Sequence, residues 1–145
     1  MQTFLPYESH QKSAKVLDRQ RLGKQRVETL QILNALTDPN YGWQNHPAVN
    51  MWRGYEFELV VYGIAICKEW IFRGYKDTCL EKITKIADKN PSISIEVPDW
   101  LGNEELHQSH RSNLLRKDPN FYCNLFEKSL PNNLEYVWPT KVAIS

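Results

Sequence analysis

The chain is poor in the features that usually settle a protein's class quickly. It has three cysteines in 145 residues, Cys67, Cys79 and Cys123. They are odd in number and far apart, which excludes a disulfide framework and suits a reducing compartment. Net charge is also scarce: 18 Lys and Arg stand against 17 Asp and Glu, for a formal +1. That balance argues against a histone-like binder or a basic tail, so any nucleic-acid site must come from local clustering. The longest uncharged apolar stretch, Leu59 to Cys67, is too short to span a bilayer. No basic-then-apolar leader opens the chain, so neither a signal peptide nor a membrane partner is expected. No internal repeat or low-complexity tract is visible. Neither His-Glu-x-x-His nor Cys-x-x-Cys spacing occurs, so no metal and no cofactor are expected. What remains is ordinary for a globular chain, 41% hydrophobic and 24% charged. The length suits one domain over residues 1–145 with its own core, in the cytoplasm.

The local signals are mostly helical. Met1 to Tyr7 has extended character, with Pro6 resisting helix. Ser9 is placed to cap a short turn through Lys15, and Asp18 to cap a helix from Arg19 to about Leu36. Asp38 to Gly42 has loop composition. Pro47 suits the first position of another helix, and Gly54 is placed to break it. Tyr55 to Arg73 is apolar nearly all round and predicts a central, buried helix, with Gly74 ending it. Thr78 to Lys89 reads as a short helix with Ile83 and Ile86 inward. Ser92 to Val97 alternates like a strand, but one strand makes no sheet. Asn103 caps a helix through about Lys117, and Asp118 with Pro119 starts a last short one. Residues 129–145 read as irregular, pinned by Tyr136 and Trp138. The sum is all-α.

Positive charge is concentrated near the start. Residues 11–26 hold six Lys or Arg and one acid, Asp18, with Glu28 just beyond. A cationic surface beside a lone carboxylate suits a phosphate-bearing substrate and an acid–base step. On a helical wheel Arg21, Lys24, Gln25, Glu28 and Gln31 share a face. Two readings fit this face: a substrate surface, or a solvated face with Lys24 and Glu28 paired at i,i+4. Arg19, Gly23, Arg26, Leu30 and Leu33 form a second face. Gly23 costs about 1 kcal/mol against Ala inside a helix. It is explained by close approach of a ligand or by a tight helix crossing. In the second case Arg19 and Arg26 pair with internal acids. His46, before the Pro47 helix start, is either a phosphate contact or a structural histidine. Arg53 follows Trp52, the aromatic best suited to stacking. His107, His110, Arg111 and Asn113 share one helix, and the last three are further candidates for phosphate or sugar contact.

Four pieces in order carry a resemblance. They are Leu17-Asp18 with the helix to Glu28; Gly42-Trp43-Gln44-Asn45-His46-Pro47; Glu69-Trp70-Ile71-Phe72-Arg73-Gly74-Tyr75; and Asp118-Pro119-Asn120-Phe121-Tyr122. Together they span about three quarters of the chain. The set resembles the pyrimidine-dimer DNA glycosylases of the phage endonuclease V type, in a divergent bacterial and phage branch. The resemblance implies a compact bundle of about three main helices plus short ones, with the N-terminal segment packed between them. It implies a monomer near the nucleoid, acting on double-stranded DNA with a damaged or modified base, flipped out before its glycosidic bond is cut. The family's nucleophile is the N-terminal α-amine, a group partly neutral at pH 7 because its reference pKa is about 8. A Schiff base at C1′ then permits strand scission. These roles fall on Met1 and Glu28 here, with Arg21, Lys24 and Arg26 as phosphate contacts.

The chain departs from the family pattern beside Glu28. Arg21 stands where the family has His, Gln31 where it has Arg, and Val27 where an Arg precedes the glutamate. Arg26 is one step away, which on a helix is a turn of about 100°. Residue 2 is Gln, too large for the usual removal of Met1. These departures keep two further readings in play: a non-catalytic DNA- or nucleotide-binding protein on the same fold, and a hydrolase of free nucleotides.

Overall fold

The computed structural model describes residues 1–139. Its elements are α1 (His10–Val16), α2 (Arg19–Thr37), α3 (Pro47–Asn50), α4 (Glu56–Phe72), α5 (Cys79–Lys89), α6 (Glu104–Lys117) and α7 (Pro119–Tyr122). The fold is all-α, with no strand among the described residues. The caps act as their chemistry dictates. Ser9, Asp18, Asn103 and Asp118 accept the backbone N–H groups of Lys12, Arg21, Leu106 and Phe121. Gly74 ends α4 at φ +96°.

α2 and α4 form the centre, with α1 and α5 packed against them. Gly63 of α4 makes their crossing close: a Cβ there would stand 2.7 Å from Thr29 Cγ2 and 3.0 Å from Ile83 Cδ1. Gly23 of α2 has the same origin, since its Cβ would meet the Trp70 ring at 2.9 Å. A close helix crossing, not a ligand, therefore explains Gly23. The expectation that α4 is buried all round needs correction. Leu59, Val60, Tyr62, Ile66 and Cys67 are buried, but Phe72 is 84% exposed and Ile71 is also open, because the last turn meets α2 through Trp70 and leaves these two side chains outside that contact. Ser92 to Val97 also forms no strand; the segment is irregular, with Ser94 O accepting the Phe57 N–H at 3.2 Å. Residues 129–139 are irregular as expected, and 140–145 lie outside the described residues. No helix among the described residues is long and apolar enough to cross a membrane.

α6 is the unusual element. His107, Ser109, His110, Arg111, Ser112 and Asn113 are all buried on it. A polar helix can be buried when its neighbours carry unpaired backbone groups. Its neighbours here are two irregular segments. On one side, His107, His110 and Arg111 bond Leu5 and Pro6. On the other, Ser109 accepts Val137 N–H, Ser112 accepts Leu134 N–H, and Asn113 donates to Leu134 O. The N-terminal segment thus lies between α2, α4 and α6, a position that sets up the site.

Candidate active site

An extended segment without a sheet partner must find its hydrogen bonds elsewhere. In residues 2–7 they come from side chains. Gln25 of α2 uses its whole amide: Nε2 donates to Gln2 O at 2.8 Å and to Glu28 Oε2 at 3.1 Å. Its Oε1 accepts the Phe4 N–H at 2.9 Å and the Tyr62 hydroxyl at 2.7 Å. His110 Nδ1 accepts the Leu5 N–H at 2.9 Å, and His107 Nδ1 donates to Leu5 O at 2.7 Å. Arg111 donates to Pro6 O at 2.8 Å, and Trp52 Nε1 to Thr3 Oγ1 at 3.0 Å. Ser13 Oγ bridges the N–H and C=O of Tyr7.

The start of the chain is thereby held against α2. Glu28 Oε2 accepts the backbone N–H of Gln2 at 3.2 Å, while Oε1 has no hydrogen-bond donor among the described residues. Met1, Gln2, Gln20, Arg21, Lys24, Glu28, Lys117 and Tyr136 line one cleft of about 280 Å³. Cations therefore flank the carboxylate, as the shared helical face predicts. The i,i+4 ion pair of Lys24 with Glu28 is not formed, and Lys24 has no ion-pair partner among the described residues. Arg21 bonds Asp18 at 3.2 Å. Asp18 itself is the α2 cap. Burial would raise its carboxyl, but hydrogen bonds from Tyr122 and Arg21 outweigh that and hold it below the usual range. Lys117, Gln20 and Tyr136 were not legible as site residues. Lys117 and Tyr136 come from distant parts of the chain, and only the fold brings them to Glu28.

His46 caps α3, its Nδ1 accepting the Ala48 N–H at 3.0 Å. Burial lowers its basicity, the Met1 ammonium lowers it further, and Glu28 opposes both, so the ring lies within electrostatic reach of the site. Arg53 donates to Gln44 O at 2.9 Å from the neighbouring loop.

Four expected DNA contacts are placed elsewhere. Arg26 bonds Asp77 at 2.6 Å and lies over Trp70, tying α2 to the start of α5. It cannot stand in for an Arg beside Glu28. His110 is enclosed, and burial pushes its pKa down to about 3, a neutral ring that holds backbone. Arg111 is buried against Pro6 O, Glu104 and Glu127. Asn113 is buried against Ser109 O and Leu134 O. None of these four lines the cleft, because each is committed to an internal partner.

Residues 1–82 match the family model of the pyrimidine dimer DNA glycosylases, which is more than half of the chain. The chain belongs to that family. No curated protein and no solved structure matches it. The family match takes in Met1, Arg21, Lys24, Glu28 and His46, and ends within α5. Three of the four recognised sequence pieces fall inside it, while Asp118 to Tyr122 falls outside. Membership in this DNA glycosylase family points to DNA carrying a damaged base as the substrate class.

Proposed function

We propose that the chain is a DNA N-glycosylase with accompanying lyase activity, removing a damaged or modified pyrimidine from double-stranded DNA. The reading rests on one juxtaposition. The first residue and Glu28 line the same cation-flanked cleft, and Glu28 accepts the N–H of residue 2 at 3.2 Å. The neutral Met1 amine attacks C1′ of the flipped nucleotide. A nitrogen–C1′ bond forms as the C1′–base bond breaks, and the base leaves with the electron pair and takes up a proton. Glu28 accepts a proton from the amine and returns it to O4′ as the sugar ring opens to an iminium. Loss of a C2′ proton then expels the 3′ phosphate. Lys24 and Arg21 hold flanking phosphates, and Lys117 extends that cationic rim.

Borohydride trapping on duplexes carrying a panel of damaged pyrimidines tests the chemistry, with intact-mass analysis to establish a free amine on Met1. Glu28→Gln is expected to keep duplex binding and lose base release. Absence of both a trapped adduct and base release across the panel would reduce the chain to a DNA-binding protein. Full activity in Glu28→Gln would remove the carboxylate from the mechanism.

A further inference from the structure

Trp43 belongs to none of the networks described so far. It is 56% exposed, while Trp52 and Trp100 are buried and Trp70 and Trp138 are partly covered. An exposed apolar residue by itself needs no explanation. Trp43 is also the one non-glycine residue at positive φ among the described residues, at +67°. A bulky side chain in the left-handed region is strained, and such strain persists only where the surroundings impose it.

The surroundings do impose it. The Gln44 amide reaches the carbonyls of Ala35, Asp38 and Tyr41 at 2.8, 3.0 and 3.0 Å. Arg53 donates to Gln44 O, Asn50 to Asn45 O, and His46 N to Trp43 O. The loop between α2 and α3 is therefore tied down on both sides of an indole that projects into solvent. The indole meets His46 edge-on, with ring centroids 5.9 Å apart. His46 in turn lies within electrostatic reach of Met1 and Glu28. The helix that His46 caps packs against α2, the helix that carries Glu28, and Trp52 just beyond it bonds Thr3 of the N-terminal segment. A firmly held, exposed aromatic plane thus stands on the element next to the helix that bears the cleft.

We propose that Trp43 is a stacking wedge for duplex DNA. Its indole covers the base left unstacked when a nucleotide leaves the helix for the Glu28 cleft. Every base presents a π-face, so this contact tolerates any sequence around the lesion. Wedges of this kind offset the unstacking that flipping requires. The proposal rests on the glycosylase reading above, which supplies the duplex and the flipped nucleotide.

The test uses the whole protein and two probes, a duplex with an uncleavable tetrahydrofuran abasic site and the matched intact duplex. Trp43→Asn relieves the backbone, because Asn tolerates the left-handed region. Its thermal midpoint should equal or exceed that of the wild type. Its affinity for the abasic duplex should fall roughly tenfold to a hundredfold, the range for losing one base–aromatic stack. Trp43→Phe should keep most of the affinity but lose the tryptophan fluorescence quenching that the wild type shows on the abasic duplex. Wild-type affinity in Trp43→Asn, or undiminished quenching in Trp43→Phe, overturns the wedge. If the wild type binds neither duplex and releases no base, the glycosylase reading fails first and the wedge falls with it.

Discussion

Acid should erode the stability of the fold through His110, whose enclosed ring stays neutral in the folded chain but takes up a proton once the chain unfolds. His110 accepts the Leu5 N–H at 2.9 Å through Nδ1, so protonation must break that bond and charge an enclosed ring. Its pKa falls from an ordinary 6.5 to about 3, chiefly through burial, with His107 adding to the shift. In the unfolded chain the same ring takes up a proton near 6.5. The unfolded state therefore binds more protons below that pH, and the stability present above 6.5 is lost progressively as pH falls toward 3. At pH 5 the gap is about one and a half units, worth about 2 kcal/mol at ~1.4 kcal/mol per unit. His107 shifts downward too and adds in the same direction. His110→Asn isolates the contribution, because Asn Oδ1 can accept the Leu5 N–H and does not titrate. Urea unfolding at pH 7.5 and pH 5, followed by circular dichroism, gives four free energies. Replacing the ring weakens packing against Phe4 and Tyr136, so the variant starts lower at both pH values. The wild type should nonetheless lose about 2 kcal/mol more than the variant on acidification. Equal losses would show that the ring is protonated in the folded state and refute the account.

Two further expectations follow from the same partners. Gln25→Leu strands the Phe4 N–H and the Gln2 carbonyl, while the Tyr62 hydroxyl keeps Phe4 O as its acceptor at 2.8 Å, so it should cost about 2–4 kcal/mol in denaturant unfolding, several times a typical surface change. Lys24→Ala should flatten the dependence of duplex affinity on salt by about one unit of log–log slope, whereas Arg116→Ala, on the exposed end of α6, should leave that slope unchanged.

Helix starts and stops were legible because they are written in adjacent residues. Ser9, Asp18, Asn103 and Asp118 cap within three positions of their own, and Gly74 needs only its own φ. The shared face of Arg21, Lys24 and Glu28 was legible for the same reason. What failed was the assignment of polar residues whose partners lie far along the chain. His110, Arg111 and Asn113 look like surface chemistry on one helix. Only the fold shows that Leu5, Pro6 and Leu134 present bare backbone to them. Arg26 is the same case, since no local pattern announces Asp77. Gly23 and Trp70 formed a third such pair, with a helix crossing where a ligand was equally plausible.

The arrangement around residues 2–7 has a consequence for the chemistry. Ordering a backbone residue costs about 1–2 kcal/mol, so leaving this segment loose would have been favourable on entropy alone. Gln25, Tyr62, His107, His110 and Arg111 instead fix it from three helices, and Trp52 from the turn between α3 and α4. None of those bonds involves the Met1 amine, so stability and amine placement are separable. A Gly-Ser extension before Met1 keeps every anchor from Gln2 to Tyr7 and moves the free amine away from Glu28. The extended protein should unfold at nearly the wild-type urea concentration and bind damaged duplex, yet give no borohydride-trapped adduct. An adduct of undiminished yield on the extended protein would place the nucleophile on a side chain and leave the anchoring of the segment to serve the fold alone.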